Sequence, residues 1–132
     1  MVEFSVSTKS RSQFIDITGE VQSAVEKMKV SNGICLVFIP HTTAGVTINE
    51  NADPDVIADI QSVLERAVPW DAGYRHGEGN AAAHAKASIM GSSVSVIIEA
   101  GRLRLGTWQG IFFCEFDGPR RRKVWVQAIA SG

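Results

Sequence analysis

The sequence predicts an α+β domain: a largely antiparallel β-sheet with two or three helices inserted between strands. Three observations carry this. Short stretches of alternating apolar and polar residues open the chain. Helix signals interrupt the strands at only two or three interior points. The C-terminal third reads almost wholly as strands. At 132 residues, a single domain spanning 1–132 is expected, long enough to bury a core without staples.

"EFSVST" and "QFIDIT" each alternate apolar and polar positions and read as two strands joined by the polar turn "KSRS". Thr18 then caps a helix that places Val21, Ala24, Val25 and Met28 on one stripe. "SNG" ends it, with Gly33 suited to the left-handed terminal position. "ICLVFI" is a continuous apolar run of strand length, expected to be a central strand buried on both faces. "VTINE" is a further strand. Asp53-Pro54 starts a second helix, a capping side chain followed by proline, with Val56, Ile57, Ile60, Val63, Leu64 and Ala67 facing inward. "DAGYRHGEGN" is a loop. "NAAAHAKASIMG" is a short helix closed by Gly91, on which His84 and Ser88 share a face. "SVSVIIE", "TWQGIFFCEF" and "KVWVQAIA" are strands. The turn "DGPRRR" between the last two predicts an antiparallel hairpin.

Composition narrows the partners. The chain is 45% hydrophobic and 20% charged with a net charge of −1, which gives no general attraction to nucleic acid or anionic lipid. No apolar run approaches the roughly 20 residues of a spanning helix, and the N-terminus lacks a signal-peptide pattern. Cys35 and Cys114 lie inside apolar runs and read as buried free thiols. A cytoplasmic protein without nucleic-acid or membrane partners is therefore expected.

Polar residues gather where strands end, where a rigid sheet can hold reactive groups beside an open site. The first cluster is "HTTAGVTINENADPD", the second "DAGYRHGEGNAAAH", the third "GRLRLGTWQG". All three histidines, His41, His76 and His84, fall in the first two. Three neutral imidazoles with a fourth position open form a catalytic zinc arrangement. The same residues equally serve as acid–base groups and phosphate donors, or as solvated loop residues. Asp53 is most economically a helix cap, whereas Glu50 and Glu78 have no evident structural task and suit acid–base work or the orienting of a histidine. "DGPRRRK" reads as a solvated turn or as an anion clamp. Trp108 is either a core aromatic or a ligand wall, with Thr107 and Gln109 fixing polar atoms.

Together, "HTTAGVTINENADPDV", "YRHGEGNAAAHAKASIMGSSVSVIIEAGRLRLGTWQGI" and "CEFDGPRRRKVWVQ" resemble the secondary thiamine-phosphate synthase family, long catalogued as a conserved family of unknown function. The resemblance covers residues 5 to 128. It implies a compact α+β homotrimer acting on a small phosphorylated metabolite. The implied activity joins the methylene carbon of a pyrimidine diphosphate to a thiazole nitrogen, releasing pyrophosphate. The family's polar pattern matches at His41, Thr42, Asn49, Glu50, Asp53, His76, Gly79, His84, Ser88, Gly106, Thr107, Trp108 and Gln109, with Thr43 keeping a hydroxyl where serine is also common.

On this basis His41, Glu50, Asp53, His76 and His84 are the expected catalytic residues. Thr42, Thr43, Asn49, Ser88, Thr107, Trp108 and Gln109 are the expected substrate contacts. His41, His76 and His84 are the expected ligands of a divalent metal, zinc first, with no organic cofactor. Two competing classes use the same residues: a metal-dependent hydrolase of a phosphorylated metabolite, and a non-catalytic trimeric protein that binds a metabolite or metal.

Overall fold

The computed structural model describes residues 1–132, from Met1 to Gly132. The elements in chain order are β1 (Val2–Ser7), β2 (Gln13–Asp16), α1 (Thr18–Met28), β3 (Gly33–Phe38), β4 (Ala44–Glu50), α2 (Pro54–Ala67), α3 (Ala81–Met90), β5 (Ser93–Glu99), β6 (Arg102–Leu103), β7 (Gln109–Glu115) and β8 (Arg121–Ala130). They build two antiparallel sheets. The larger has the order β1-β8-β3-β5-β6 and the smaller the order β2-β7-β4. The expected α+β class holds, with three helices.

The main core fills the space between the two sheets and α1. Val37, Val96, Val124 and Val126 come from the large sheet, Val46, Ile111 and Phe113 from the small one, and Val21, Ala24 and Val25 from α1. Ala83, Ala87, Cys114 and Phe116 form a second cluster beneath α2 and α3, with Leu64, Trp70 and Met90 packed on it. The small sheet is thus covered on both faces, and Gly110 through Glu115 of β7 are all buried.

Several sequence expectations change here. β7 and β8 do not form a hairpin: β7 pairs with β2 and β4, while β8 pairs with β1 and β3. Segment 116–120 crosses from one sheet to the other, so apolar alternation on both sides of a turn did not imply pairing. β1 and β2, the two strands expected on either side of "KSRS", also lie in different sheets. β3 is not buried on both faces. Cys35 and Val37 point into the core, while Ile34 and Phe38 face outward and are exposed.

Thr18 is not the cap of α1. Asp16 Oδ1 accepts its N–H and its hydroxyl, and Thr18 Oγ1 accepts the N–H of Ile111. Gly33 does not end that helix, since Lys29 takes the left-handed position with φ 56°. Gly33 is instead required by close approach: a Cβ there would lie 1.9 Å from the Ile129 carbonyl oxygen. α2 begins as expected, with Asp53 Oδ1 accepting from Asp55 N–H at 2.9 Å. It rides on the surface, however, with no fully buried residue and with Val63 exposed. No helix is long and apolar enough to cross a membrane, and both cysteines are free and buried.

Candidate functional site

β4 begins beside the end of β7 and finishes beside its start, pairing Ala44 with Glu115 and Glu50 with Gln109. The polar clusters of the sequence divide between these two ends. Six strand residues separate them by about 20 Å.

The first end opens into a cavity of about 720 Å³, polar except for Phe38, Ile39 and Pro40. Its wall is built from four places: the β3–β4 loop (His41, Thr42, Thr43), the loop and start of α3 (His76, Glu78, Asn80, His84), Ser92, and the β7–β8 crossing (Asp117, Arg120, Arg122). α3 reaches the β3–β4 loop because β4 carries glycine where the helix ends. A Cβ on Gly45 would stand 2.6 Å from the Gly91 carbonyl oxygen, which instead accepts the Val46 N–H at 3.1 Å. This contact brings His84 to the cavity that His41 lines. The rings of His76 and His84 lie edge to face with centroids 5.2 Å apart. Glu78 Oε1 is 4.0 Å from His76 Nε2.

The cavity floor is ionic. Alternation along β8 turns Arg122 inward with Val124 and Val126, while Arg121 and Lys123 face solvent. Alternation along β7 turns Glu115 inward with Ile111 and Phe113. The two meet between the sheets, Arg122 only 3% exposed and Glu115 0%. Arg122 Nε donates to Glu115 Oε1 at 2.9 Å, and its Nη2 donates to Glu115 Oε2 and to Thr43 Oγ1 at 2.8 Å. Glu115 also accepts from Thr8 Oγ1 and from the N–H groups of Phe116 and Asp117. Burial pushes the Glu115 carboxyl up, but the Arg122 hydrogen bonds and the other donors more than offset this, so its net direction is downward. Such a pair is costly to break, because either partner alone is a buried, uncompensated charge. None of these bonds uses Arg122 Nη1, which leaves that group for the cavity.

His41 Nε2 accepts the Lys123 N–H at 2.9 Å. Burial and then the Arg122 charge lower the pKa of the ring. The cysteines offer no nucleophile: burial raises Cys35 to about 11 and raises Cys114 further.

Of the sequence-derived residues, the cavity gathers His41, Thr42, Thr43, His76 and His84. Ser88 lines an adjoining lobe with His41, Thr42 and His84, and its hydroxyl donates to the His84 carbonyl at 3.0 Å. Thr43 is buried and holds Arg122, which places it behind the surface a ligand would meet. Asn49, Glu50, Asp53, Thr107, Trp108 and Gln109 are not part of this cavity. Asn49 Oδ1 accepts the Glu50 N–H. Glu50 and Asp53 border a separate hollow of about 330 Å³ with Asp16 and Asn51, and Asp53 is committed to its cap. Gln109 Oε1 accepts the Gly106 N–H at 2.7 Å, and Trp108 is 62% exposed rather than a core aromatic.

The expected three-histidine metal centre does not close within this chain. No group of three or more His, Cys, Asp or Glu side chains is placed to hold a metal ion, and the Nε2 lone pair of His41 is taken by Lys123. A catalytic four-coordinate site needs three free protein donors, and with His41 engaged only His76 and His84 remain. Glu115 was missed by the sequence reading, although its register with Ile111 and Phe113 marked it as an inward carboxylate.

Fold and site together define a two-sheet α+β protein with a polar cleft, lined by both arginines and carboxylates, at one end of its core. The chain belongs to the family described as UPF0047 protein YjbQ-like, which it matches over residues 2–131. It is 48% identical over 131 residues to a UPF0047 protein of Methanocaldococcus jannaschii, covering 99% of this chain and 95% of that protein. It is 51% identical over 125 residues to UPF0047 protein YugU of Bacillus subtilis, covering 94% and 95%. A crystal structure of an uncharacterized conserved protein of the YjbQ/UPF0047 family from Clostridium acetobutylicum superposes with a TM-score of 0.96 at 58% identity, covering 98% of this chain and 100% of that one. These matches correct the family reading of the sequence. These relatives carry the name of an uncharacterized family and not that of a thiamine-phosphate synthase. That assignment and the thiamine phosphate chemistry drawn from it are withdrawn.

Proposed function

We propose that the cleft binds a small phosphorylated metabolite and that His76 and His84 exchange a proton with it. The observation that carries this reading is the buried Arg122 guanidinium, locked by Glu115 and Thr43 on one side and left with a free Nη1 on the side of the cavity. A fixed guanidinium in a polar hollow suits phosphate oxygens, to which the N–H groups of Nη1 can donate charge-assisted hydrogen bonds. Thr42 lines the same wall and supplies a further donor, while Arg120 is paired with Asp117 there. The two imidazoles lie close enough to act on one bound group, and Glu78 stands near His76 as a group that can orient it.

Calorimetric titration with methyl phosphate tests the reading. Saturable binding that is lost in Arg122→Gln, with the variant shown to be folded, is expected. Equal binding in that folded variant contradicts it.

We further infer that the bare face of the large sheet is covered by other copies of this chain, assembled as a trimer. Ile34 pairs in register with both Ile97 and Ile129, and all three are more than half exposed. Phe38 stacks on Trp125 in the same face at 5.8 Å. A contiguous apolar strip of this kind is uncommon on a monomer. Light scattering that reads one chain mass of 14.3 kDa, rather than three, contradicts the inference.

A further inference from the structure

His41 differs from the other two histidines in how its ring is held. Its Nε2 accepts a main-chain N–H from Lys123, inside β8. A main-chain amide cannot give up that proton, so Nε2 must keep its lone pair. In the neutral ring the proton then belongs on Nδ1, because the hydrogen bond made by one nitrogen fixes the tautomer at the other. No hydrogen bond of the protein uses Nδ1, and the ring lines the same cavity as Arg122.

We infer that His41 is a fixed neutral hydrogen-bond donor: its Nδ1–H and Arg122 Nη1 together capture a doubly charged oxyanion, and no imidazolium is needed at His41. The inference rests on the phosphorylated-ligand reading of the cleft and names the form of ligand taken, the dianion of a phosphomonoester. It excludes His41 from the role of base or metal ligand, because the lone pair either role needs is engaged.

The charges around the ring agree. Arg122 and Arg120 approach it from β8 and the turn before it, and their charge opposes a further cation. The facing carboxylates are Glu115 on β7, already occupied by Arg122, and Asp117 in the β7–β8 crossing, already paired with Arg120. His84 on α3, with His76 and Glu78 on the preceding loop, lines the opposite wall. The consequence is a pH profile. A phosphomonoester loses its second proton near pH 6 (roughly), so its capture should improve from pH 5.5 to 7.5 (about) through the ligand, with no opposing loss at His41. An imidazolium clamp would weaken over the same span.

The test has two parts. Nitrogen-15 NMR of histidine-labelled protein reads the tautomer directly, and Nδ1–H is expected for His41 at neutral pH. Calorimetry then uses inorganic sulfate, a dianion throughout, on His76→Gln/His84→Gln protein so that only His41 titrates in the cleft. Affinity is expected to stay within about twofold across the histidine range. His41→Ala should weaken sulfate by about tenfold, as for a lost hydrogen bond to a charged group, and His41→Asn, whose amide nitrogen replaces Nδ1, should recover most of that. An Nε2–H tautomer, or a tenfold fall in sulfate affinity as pH rises, overturns the donor role while leaving the cleft reading intact. Absence of sulfate and methyl phosphate binding to the unsubstituted protein overturns the cleft reading and the donor role with it.

Discussion

At one end of β4 the polar side chains converge on open space; at the other they are turned back onto their own chain. At the first end Glu115, Arg122 and Thr43 are hydrogen-bonded to one another and His41 to the Lys123 main chain, while Arg122 Nη1 and His41 Nδ1 remain unspent. At the second end Asp53 caps α2, Asn49 accepts from Glu50, and Gln109 closes the turn at Gly106. Both ends are rich in groups that can do chemistry. The difference is that burial and ion pairing orient the first set, whereas local hydrogen bonding engages Asp53, Asn49 Oδ1 and Gln109 Oε1 at the second. Residue type marks a candidate, and the remaining valence of each group after folding decides whether a ligand can use it.

The largest effect expected from breaking this comparison falls on the ionic floor. Arg122→Gln should abolish anion binding in the cleft and cost about 3–5 kcal/mol of stability, because Glu115 is left buried without its partner. Titration calorimetry and chemical denaturation read the two losses separately. Replacement of Glu50 by Gln should leave anion binding within about twofold, since its hollow lies about 20 Å away along the strand.

Acid should dismantle the same end in two stages. The fold holds the His41 ring neutral, with its pKa below the usual 6.5, so this contribution is complete above that value and fades as pH falls through the lowered pKa. The Glu115 carboxyl also lies below its usual 4.5, so its contribution is complete above 4.5 and is lost as pH falls through the folded value. In both cases the unfolded chain binds more protons, and stability must rise with pH. Thermal denaturation at a series of pH values should show both stages, and His41→Ala should remove the upper one.

A middle-sized effect is expected at the imidazole pair. His84→Ala should leave the fold intact, because His84 is only partly buried and takes part in no side-chain hydrogen bond that ties elements together. It should remove proton exchange with a bound phosphomonoester, read as loss of the pH-dependent line-shape changes in phosphorus NMR. The smallest effect belongs to the second end. Asp53→Ala should cost about 1 kcal/mol through the lost cap, visible in denaturant melts, with anion affinity unchanged.

Much of the secondary structure could be read from local pattern, because alternation and capping are local. The Asp53-Pro54 start of α2 and the Gly91 end of α3 follow from single residues. Strand partnership is not local. The "DGPRRR" turn looked like a hairpin because both flanking strands alternate, yet β7 and β8 join different sheets. "ICLVFI" was expected to be buried twice over, since composition alone does not distinguish a core face from a bare apolar face. The histidine cluster was legible as three polar residues at element ends. Its true floor was not, because Glu115 lies within the apolar run of β7 and Arg122 within a run of basic residues. Only the register of two strands in different sheets brings those two together. The carboxylates at Glu50 and Asp53 drew a role from sequence proximity to His41, which six residues of extended strand undo.

The most direct test of the account is the binding of methyl phosphate, measured by calorimetry on the intact protein and on folded Arg122→Gln. The account predicts saturable binding at one site per chain that disappears in the variant. Binding that is unchanged in the folded variant would show that the anion is held elsewhere, and the buried guanidinium would then be a structural ion pair alone.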